Sequence, residues 1–336
     1  MTDALLQTAK QNVRSFNAAF DSADNELLTQ CLAEHTTSDY AWRGVHPFHE
    51  QSGHAAVVES FWAPLRKSLT SLRRREDVFF AGRNIVDGEE STWVAGMGHM
   101  FGLFDNDWLG IPATRKMTFL RYVEFHRIDG NKIAESALFC DVLGIMHQAG
   151  CYPLQESTGA FVTQPGPLTG DGVLLDRQSD IESEKTISLV NRMIDDLTAL
   201  NVSGNDQCPP EVLQKTWHDD MIWYGPTGIG ATYTIPRYQE QHQYPFRTQL
   251  KDKVFNGHVA RFSEGNYAGF FGWPNLTNTA KGGFLGLPGN DIRADMRVVD
   301  IYRRDGDKLA ENWVFIDLLH WMKLQGIDVL QDLARP

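Results

Sequence analysis

Two aspartates at matching places are the side chains in this chain best suited to moving protons. Asp141 ends the run ESALFCD, and Asp317 ends the run ENWVFID. Both runs read as strands, in which side chains alternate with period 2. Glu135, Ala137, Phe139 and Asp141 therefore share one face, and Glu311, Trp313, Phe315 and Asp317 share the other copy's equivalent. The opposite faces carry Leu138 and Cys140, or Val314 and Ile316. Both faces are apolar, so each sheet is expected to be covered on both sides.

A carboxylate among Phe and Trp is costly as an ion, and its pKa rises unless donors surround it. An acid poised near neutrality suits general acid/base catalysis. Period 2 puts each Asp with Phe139 or Phe315, on what this reading takes as the pocket face. The same residue type also caps helices by accepting a backbone N–H. Each Asp is followed by a short apolar run, VLGIM or LLHWM, so that second role stays open. Glu135 and Glu311 stand beside a tight turn and read as strand-end ion-pair partners.

The elements that must hold these residues occur twice. Pro112 to Asp141 repeats the spacing of Pro288 to Asp317, and Trp42 to Pro64 repeats that of Trp223 to Pro245. Gly110-Ile111-Pro112 faces Gly286-Leu287-Pro288, Arg121 faces Arg297, and Trp42-x-Gly44 faces Trp223-x-Gly225. Shared spacing over separate blocks marks a tandem duplication. Its halves are residues 1–150 and 181–336, joined by a Gly/Pro/Ser/Thr-rich connecting segment, 151–180. Each half begins with a helical pattern: Leu5, Val13, Phe16 and Phe20 in one, Leu189, Met193, Ile194 and Leu197 in the other. Each ends in a hairpin signal around Asp129-Gly130 or Asp305-Gly306. Helices followed by antiparallel strands give an α+β class. The apolar outer faces predict that the halves pack sheet against sheet as an internal pseudo-dimer, which leaves room for a homo-oligomer as well.

Composition narrows the partners. The 336 residues carry a formal charge of −12 and no basic block beyond Arg73-Arg74-Arg75, which Glu76-Asp77 offsets. Such a chain repels phosphate backbones, so no nucleic acid is expected. No apolar run is long enough to span a membrane, and the N-terminal stretch lacks a leader's apolar region. Cys31, Cys140, Cys151 and Cys208 have no metal or redox spacing. A cytoplasmic protein with reduced thiols is the expectation. His46, His49 and His54 are the densest histidines, with only Glu50 beside them, and read as polar loop contacts, so no metal is expected. Aromatic side chains, among them Trp42, Trp223 and Trp273, gather near the expected pocket mouths. Most read as core; some would grip a flat, hydrophobic, oxygenated small molecule.

At these motifs the sequence resembles the SnoaL-like polyketide cyclases. The residues that carry the resemblance are Gly110-Ile111-Pro112, Asp129-Gly130-Asn131-Lys132-Ile133 and Glu135-x-Ala137-x-x-x-Asp141, with Gly286-Leu287-Pro288, Asp305-Gly306-Asp307-Lys308-Leu309 and Glu311-x-Trp313-x-x-x-Asp317 in the second copy. The resemblance implies two cone-shaped α+β barrels of the nuclear-transport-factor-like and ketosteroid-isomerase-like kind, each a curved antiparallel sheet wrapped by N-terminal helices. It implies a cofactor-free enzyme of cyclase, lyase or isomerase type, in which Asp141 or Asp317 removes a C–H proton beside a carbonyl. A histidine assists in that family, and His99 and His126 are its candidates here; the second copy has Trp273 and Tyr302 near those places. Ala137 stands where the family has Trp, so neither copy is complete. Epoxide or lactone hydrolysis, or small-molecule binding without catalysis, are the competing readings.

Overall fold

The structure, a computed structural model, describes residues 2–333. The chain forms two compact units. The first runs to Tyr152 and adds residues 165–177 and the segment from Asp328; the second comprises residues 153–164 and 178–327. The connecting segment is thus shared out. Gly159 and Ala160 donate backbone N–H groups to Ile229 (2.7 Å) and Ala231 (2.9 Å) in the second unit. In the first unit Phe79 N–H donates to Gly172 and Leu174 N–H to Phe79, both at 2.8 Å. Peptide groups of a Gly/Pro-rich segment need partners as much as any others, and these find them on the strand Leu69–Arg83, on the strand Ala231–Tyr233 and in the turn before the latter.

The first unit opens with α1 (Thr2–Ser22) and α2 (Leu28–His35). It continues through β1 (Thr36–Gly44), β2 (His49–Ser52), α3 (His54–Val57), a π turn (Val58–Trp62) and α4 (Ala63–Ser68). Then come β3 (Leu69–Arg83), β4 (Thr92–Phe104), β5 (Met117–Asp129), β6 (Lys132–Cys140) and α5 (Val142–Ala149). The sheet order is β2-β1-β6-β5-β4-β3. Val13, Phe16 and Phe20 of α1 are buried, while Leu5 of the same stripe is 41% exposed.

The second unit repeats the plan. It holds α6 (Asp180–Ser203), α7 (Pro210–Gln214), β7 (Trp217–Tyr224), β8 (Ala231–Tyr233), α8 (Ile235–Tyr238), a π turn (Gln239–Gln243) and α9 (Tyr244–Gln249). Strands β9 (Leu250–Phe255), β10 (Ala260–Glu264), β11 (Tyr267–Ala280), β12 (Arg293–Asp305) and β13 (Lys308–Ile316) follow, then α10 (Leu318–Leu324). The sheet order is β10-β11-β12-β13-β7-β8, with β9 also on β11. A last short helix, α11 (Val329–Leu333), groups with the first unit.

The α+β class and the duplication hold. Each sheet is mixed rather than wholly antiparallel: β1 lies parallel to β6, and β7 parallel to β13. The chain needs α3 through β5, or α8 through β12, to return in the parallel sense, as a parallel pair requires a long crossover. The expected hairpins form with Gly130 (φ 57°) and Gly306 (φ 59°) in the left-handed region that glycine enters freely. The repeated Trp-x-Gly also has a physical cause. A Cβ on Gly44 would lie 2.2 Å from the Trp42 ring, and one on Gly225 2.0 Å from the Trp223 ring. Each indole is laid flat over the glycine two residues on.

Candidate functional site

A cavity of about 200 Å³ lies within the second unit, between the sheet and the helical layer of α6, α8, the π turn and α9. Met193, Ile194 and Leu197 of α6 form one wall, so the helical stripe read from the sequence faces the cavity. Val298, Asp300 and Tyr302 of β12 and Asn312, Val314 and Ile316 of β13 form the opposite wall. Trp217 and Trp223 of β7 close a side. The register puts Tyr302 opposite Asn312 and Asp300 opposite Val314, which is why these side chains share a face.

Among the described residues Asp300 is the one carboxylate on the cavity wall. The Tyr302 hydroxyl donates to its Oδ1 at 3.0 Å, and the Asn312 amide donates to the same oxygen at 3.1 Å. Burial pushes its carboxyl up to about 6, against the two donors, which pull it down. It remains half-buried, so a ligand in the cavity can reach it. His242 stacks on Trp223 with ring centres 4.1 Å apart, and His258 stacks on Phe270 at 3.9 Å. Burial depresses both imidazoles to about 3, with Arg247 adding to the effect at His242 and Arg261 at His258. Near pH 7 the cavity therefore holds a mostly ionised carboxylate among neutral rings.

The helical wall is built by a π turn. One extra residue in the turn brings both His242 and Gln243 to the cavity, and such turns recur at functional sites. Gln243 Nε2 donates to the Tyr238 hydroxyl oxygen at 2.7 Å, and Arg247 Nε donates to Gln243 Oε1 at 3.1 Å.

The first unit carries a different set in the same register. Glu124 lies opposite Leu138 and His126 opposite Ser136, as Asp300 and Tyr302 lie opposite Val314 and Asn312. Arg74, on β3 opposite Met100, stands where the second unit has Phe255 opposite Leu276. Arg74 forms a buried ion pair with Glu124, reaches Asp21 at 3.1 Å and lies over the Tyr122 ring at 5.1 Å. Glu76 nearby is pushed up to about 7, chiefly by burial, with Arg74 opposing. The His126 imidazole is 2.8 Å from Ser136 Oγ and is depressed to about 4 by burial.

The two aspartates singled out by the sequence stand at helix starts. Asp141 accepts from Gly144 N–H at 2.9 Å, capping α5. Asp317 accepts from His320 N–H at 3.2 Å, capping α10, and lies 3.5 Å from Arg297 Nη1. Asp317 does not line the cavity, nor do Trp313 and Phe315. The alternation was legible, but inner and outer faces are exchanged: Val314 and Ile316, read as the outer face, line the cavity. Trp313 instead stacks on Tyr224 at 5.5 Å, and Phe315 and Phe139 are buried. Trp273 carries the Arg297 guanidinium 3.8 Å over its ring. His99 is 3.3 Å from Asp77 and on β4 opposite Arg121, so it shares the sheet face of Arg121 and not that of His126. Trp42 packs on Phe61 in the first unit's core. Of the candidate site residues read from the sequence, the cavity gathers Trp223 and Tyr302. Among the described residues no group of three or more His, Cys, Asp or Glu could hold a metal ion; His46 and His49 approach each other at 3.2 Å. No described helix is long and apolar enough to cross a membrane.

Asp300, Asn312, Tyr238, His242 and Gln243 were missed. A signal existed: MRVVDIYRR places a carboxylate and a phenol two apart inside an apolar strand, and FLRYVEFHRI repeats it with Glu124 and His126.

No family model and no curated protein matches this sequence. Solved structures do resemble it. One described as a SnoaL-like polyketide cyclase, from Jannaschia sp. CCS1, is 18% identical and covers 44% of this chain and 93% of its own, with a TM-score of 0.33. IdmH from Streptomyces antibioticus, described as a polyketide cyclase, is 14% identical and covers 40% and 99%, with a TM-score of 0.31. An NTF2-like protein from Burkholderia xenovorans LB400 is 12% identical and covers 42% and 96%, with a TM-score of 0.32. Each comparison takes in nearly all of the other chain and less than half of this one.

Proposed function

We propose that the second unit is a cofactor-free acid/base enzyme that removes an acidic C–H proton beside a carbonyl of a small hydrophobic, oxygenated molecule, with Asp300 as the base. One observation carries this reading: a reachable carboxylate, held by Tyr302 and Asn312, stands on the wall of a mostly apolar cavity whose other polar groups include Gln243 and Arg247. A carboxyl with a pKa of about 6 is mostly ionised at pH 7 yet basic enough to be a useful acceptor. The donors occupy Oδ1, which leaves Oδ2 to face the ligand. As the C–H bond breaks, its proton goes to Asp300 and its electron pair forms the enolate. Return of the proton to the same carbon is exchange and to a different carbon isomerisation; attack of the enolate on a second carbonyl closes a ring, and the alkoxide so formed takes the proton back from Asp300. Neutral His242 and His258 and the two indoles shape the cavity for a flat molecule and keep water sparse.

The test is deuterium wash-in. Aryl ketones are screened for binding by thermal shift, and α-proton exchange in D2O is followed by NMR between pH 4 and 9. The rate is expected to rise with pH around a midpoint near 6 and to lose that dependence in Asp300→Asn. An unchanged profile in the variant would falsify the assignment.

A further inference from the structure

This inference rests on the reading of Asp300 as the base and adds the group that faces the ligand's oxygen. We infer that Tyr238 is a catalytic residue: its hydroxyl donates to the carbonyl oxygen of the ligand, and Arg247 and Gln243 fix it in that role. Gln243 Nε2 donates to Tyr238 Oη at 2.7 Å, so this oxygen already serves as an acceptor. Gln243 Oε1 accepts in turn from Arg247 Nε at 3.1 Å. Arg247 is buried and anchored through Nη1 to Asn201 Oδ1 at 2.8 Å. A guanidinium polarises the Gln243 amide, and the amide sharpens the hydroxyl as a donor, because hydrogen bonds in a chain strengthen one another. The Tyr238 proton has no acceptor among the described residues, although the side chain is 5% exposed and lines the cavity.

A buried donor without an acceptor is costly, and native structures seldom leave one without a reason. His242, one turn along, repeats the sign: its Nδ1 is buried with no partner among the described residues. Tyr238 and His242 thus line the same cavity as Asp300, the one with an unused hydroxyl proton and the other with an unpartnered ring nitrogen. This is the arrangement an enolate needs, with a base at the carbon and a neutral donor at the oxygen. Burial pushes the Tyr238 hydroxyl above its ordinary value, so it hydrogen-bonds the developing oxyanion without giving up its proton. The C–H proton passes to Asp300, the electron pair to the new C=C bond and the carbonyl π pair to the oxygen.

The experiment uses the full chain and the aryl ketone 1-tetralone labelled with 13C at the carbonyl. Deuterium wash-in is measured for the wild type, Tyr238→Phe, Gln243→Met and Asp300→Asn. The carbonyl stretch of the bound ketone is recorded in Asp300→Asn with and without Tyr238→Phe. Tyr238→Phe is expected to lower kcat about 10²–10³-fold, the loss typical of one oxyanion donor, with little change in KM. Gln243→Met leaves the phenol in place and is expected to lose less, about tenfold or under. The bound carbonyl band is expected at lower frequency with Tyr238 than without it. A Tyr238→Phe rate equal to wild type, together with an unmoved band, overturns this inference while leaving Asp300 as base. Exchange lost in Tyr238→Phe but kept in Asp300→Asn supports it and overturns the Asp300 reading. No exchange by the wild type overturns both.

Discussion

Asp300 is held at a cost that its titration should reveal. Its pKa in the folded chain is about 6, above the roughly 3.9 of a free Asp side chain. Folding then binds a proton between those values, so the stability Asp300 contributes is full below about pH 4 and is lost as pH rises through 6. Asp300→Asn mimics the protonated form and keeps Oδ1 as an acceptor for Tyr302 and Asn312. Thermal unfolding should therefore show the variant more stable than wild type at pH 8, with the gap closing at pH 4. The buried imidazoles of His242 and His258 titrate alike in both proteins, so their own loss of stability at low pH cancels from the comparison. A gap of the same size at both pH values would remove the strain from Asp300. Asp141 calls for the opposite expectation. As a cap it should lose about 1 kcal/mol on change to Ala and much less on change to Asn, measured by urea unfolding.

At the scale of elements, the Trp-x-Gly motif gives a paired prediction. A methyl group at Gly225 meets the Trp223 ring and drives it toward the cavity; one at Gly44 meets Trp42 in a packed core. Both Ala variants should lose roughly 1–3 kcal/mol by overpacking. Only Gly225→Ala should also weaken ketone binding, read by titration calorimetry; equal effects on binding would break the link between Trp223 and the ligand. Much of this level was legible in the sequence. Spacing between blocks showed the duplication, and period 2 showed which side chains of β13 go together. It could not say which face is inner, because Phe315 and Val314 are equally apolar. The choice depends on where α6 and the π turn pack, a long-range fact. Nor does a π turn have a sequence signature, so Tyr238, His242 and Gln243 stayed hidden among helical residues. Asp300 was hidden differently: its run was read only as one arm of a hairpin.

At the scale of the whole molecule, one plan was written twice with two interiors. In the first unit the carboxylate is Glu124, locked to Arg74; in the second Phe255 replaces the arginine and Asp300 faces a cavity. Arg74→Met leaves Glu124 buried without its cation and should cost about 3–5 kcal/mol in urea unfolding, while wash-in by the folded fraction stays at the wild-type rate. The central claim is that proton transfer belongs to Asp300 and not to the helix-capping aspartates or the first unit's carboxylate. The most direct test compares deuterium wash-in into the same aryl ketone by Asp300→Asn, Asp317→Asn and Glu124→Gln, each checked for folding by near-UV circular dichroism. The account predicts a loss of about 10²–10⁴-fold in Asp300→Asn and rates within a few-fold of wild type in the other two. Full activity in Asp300→Asn, or an equal loss in Asp317→Asn, would contradict it.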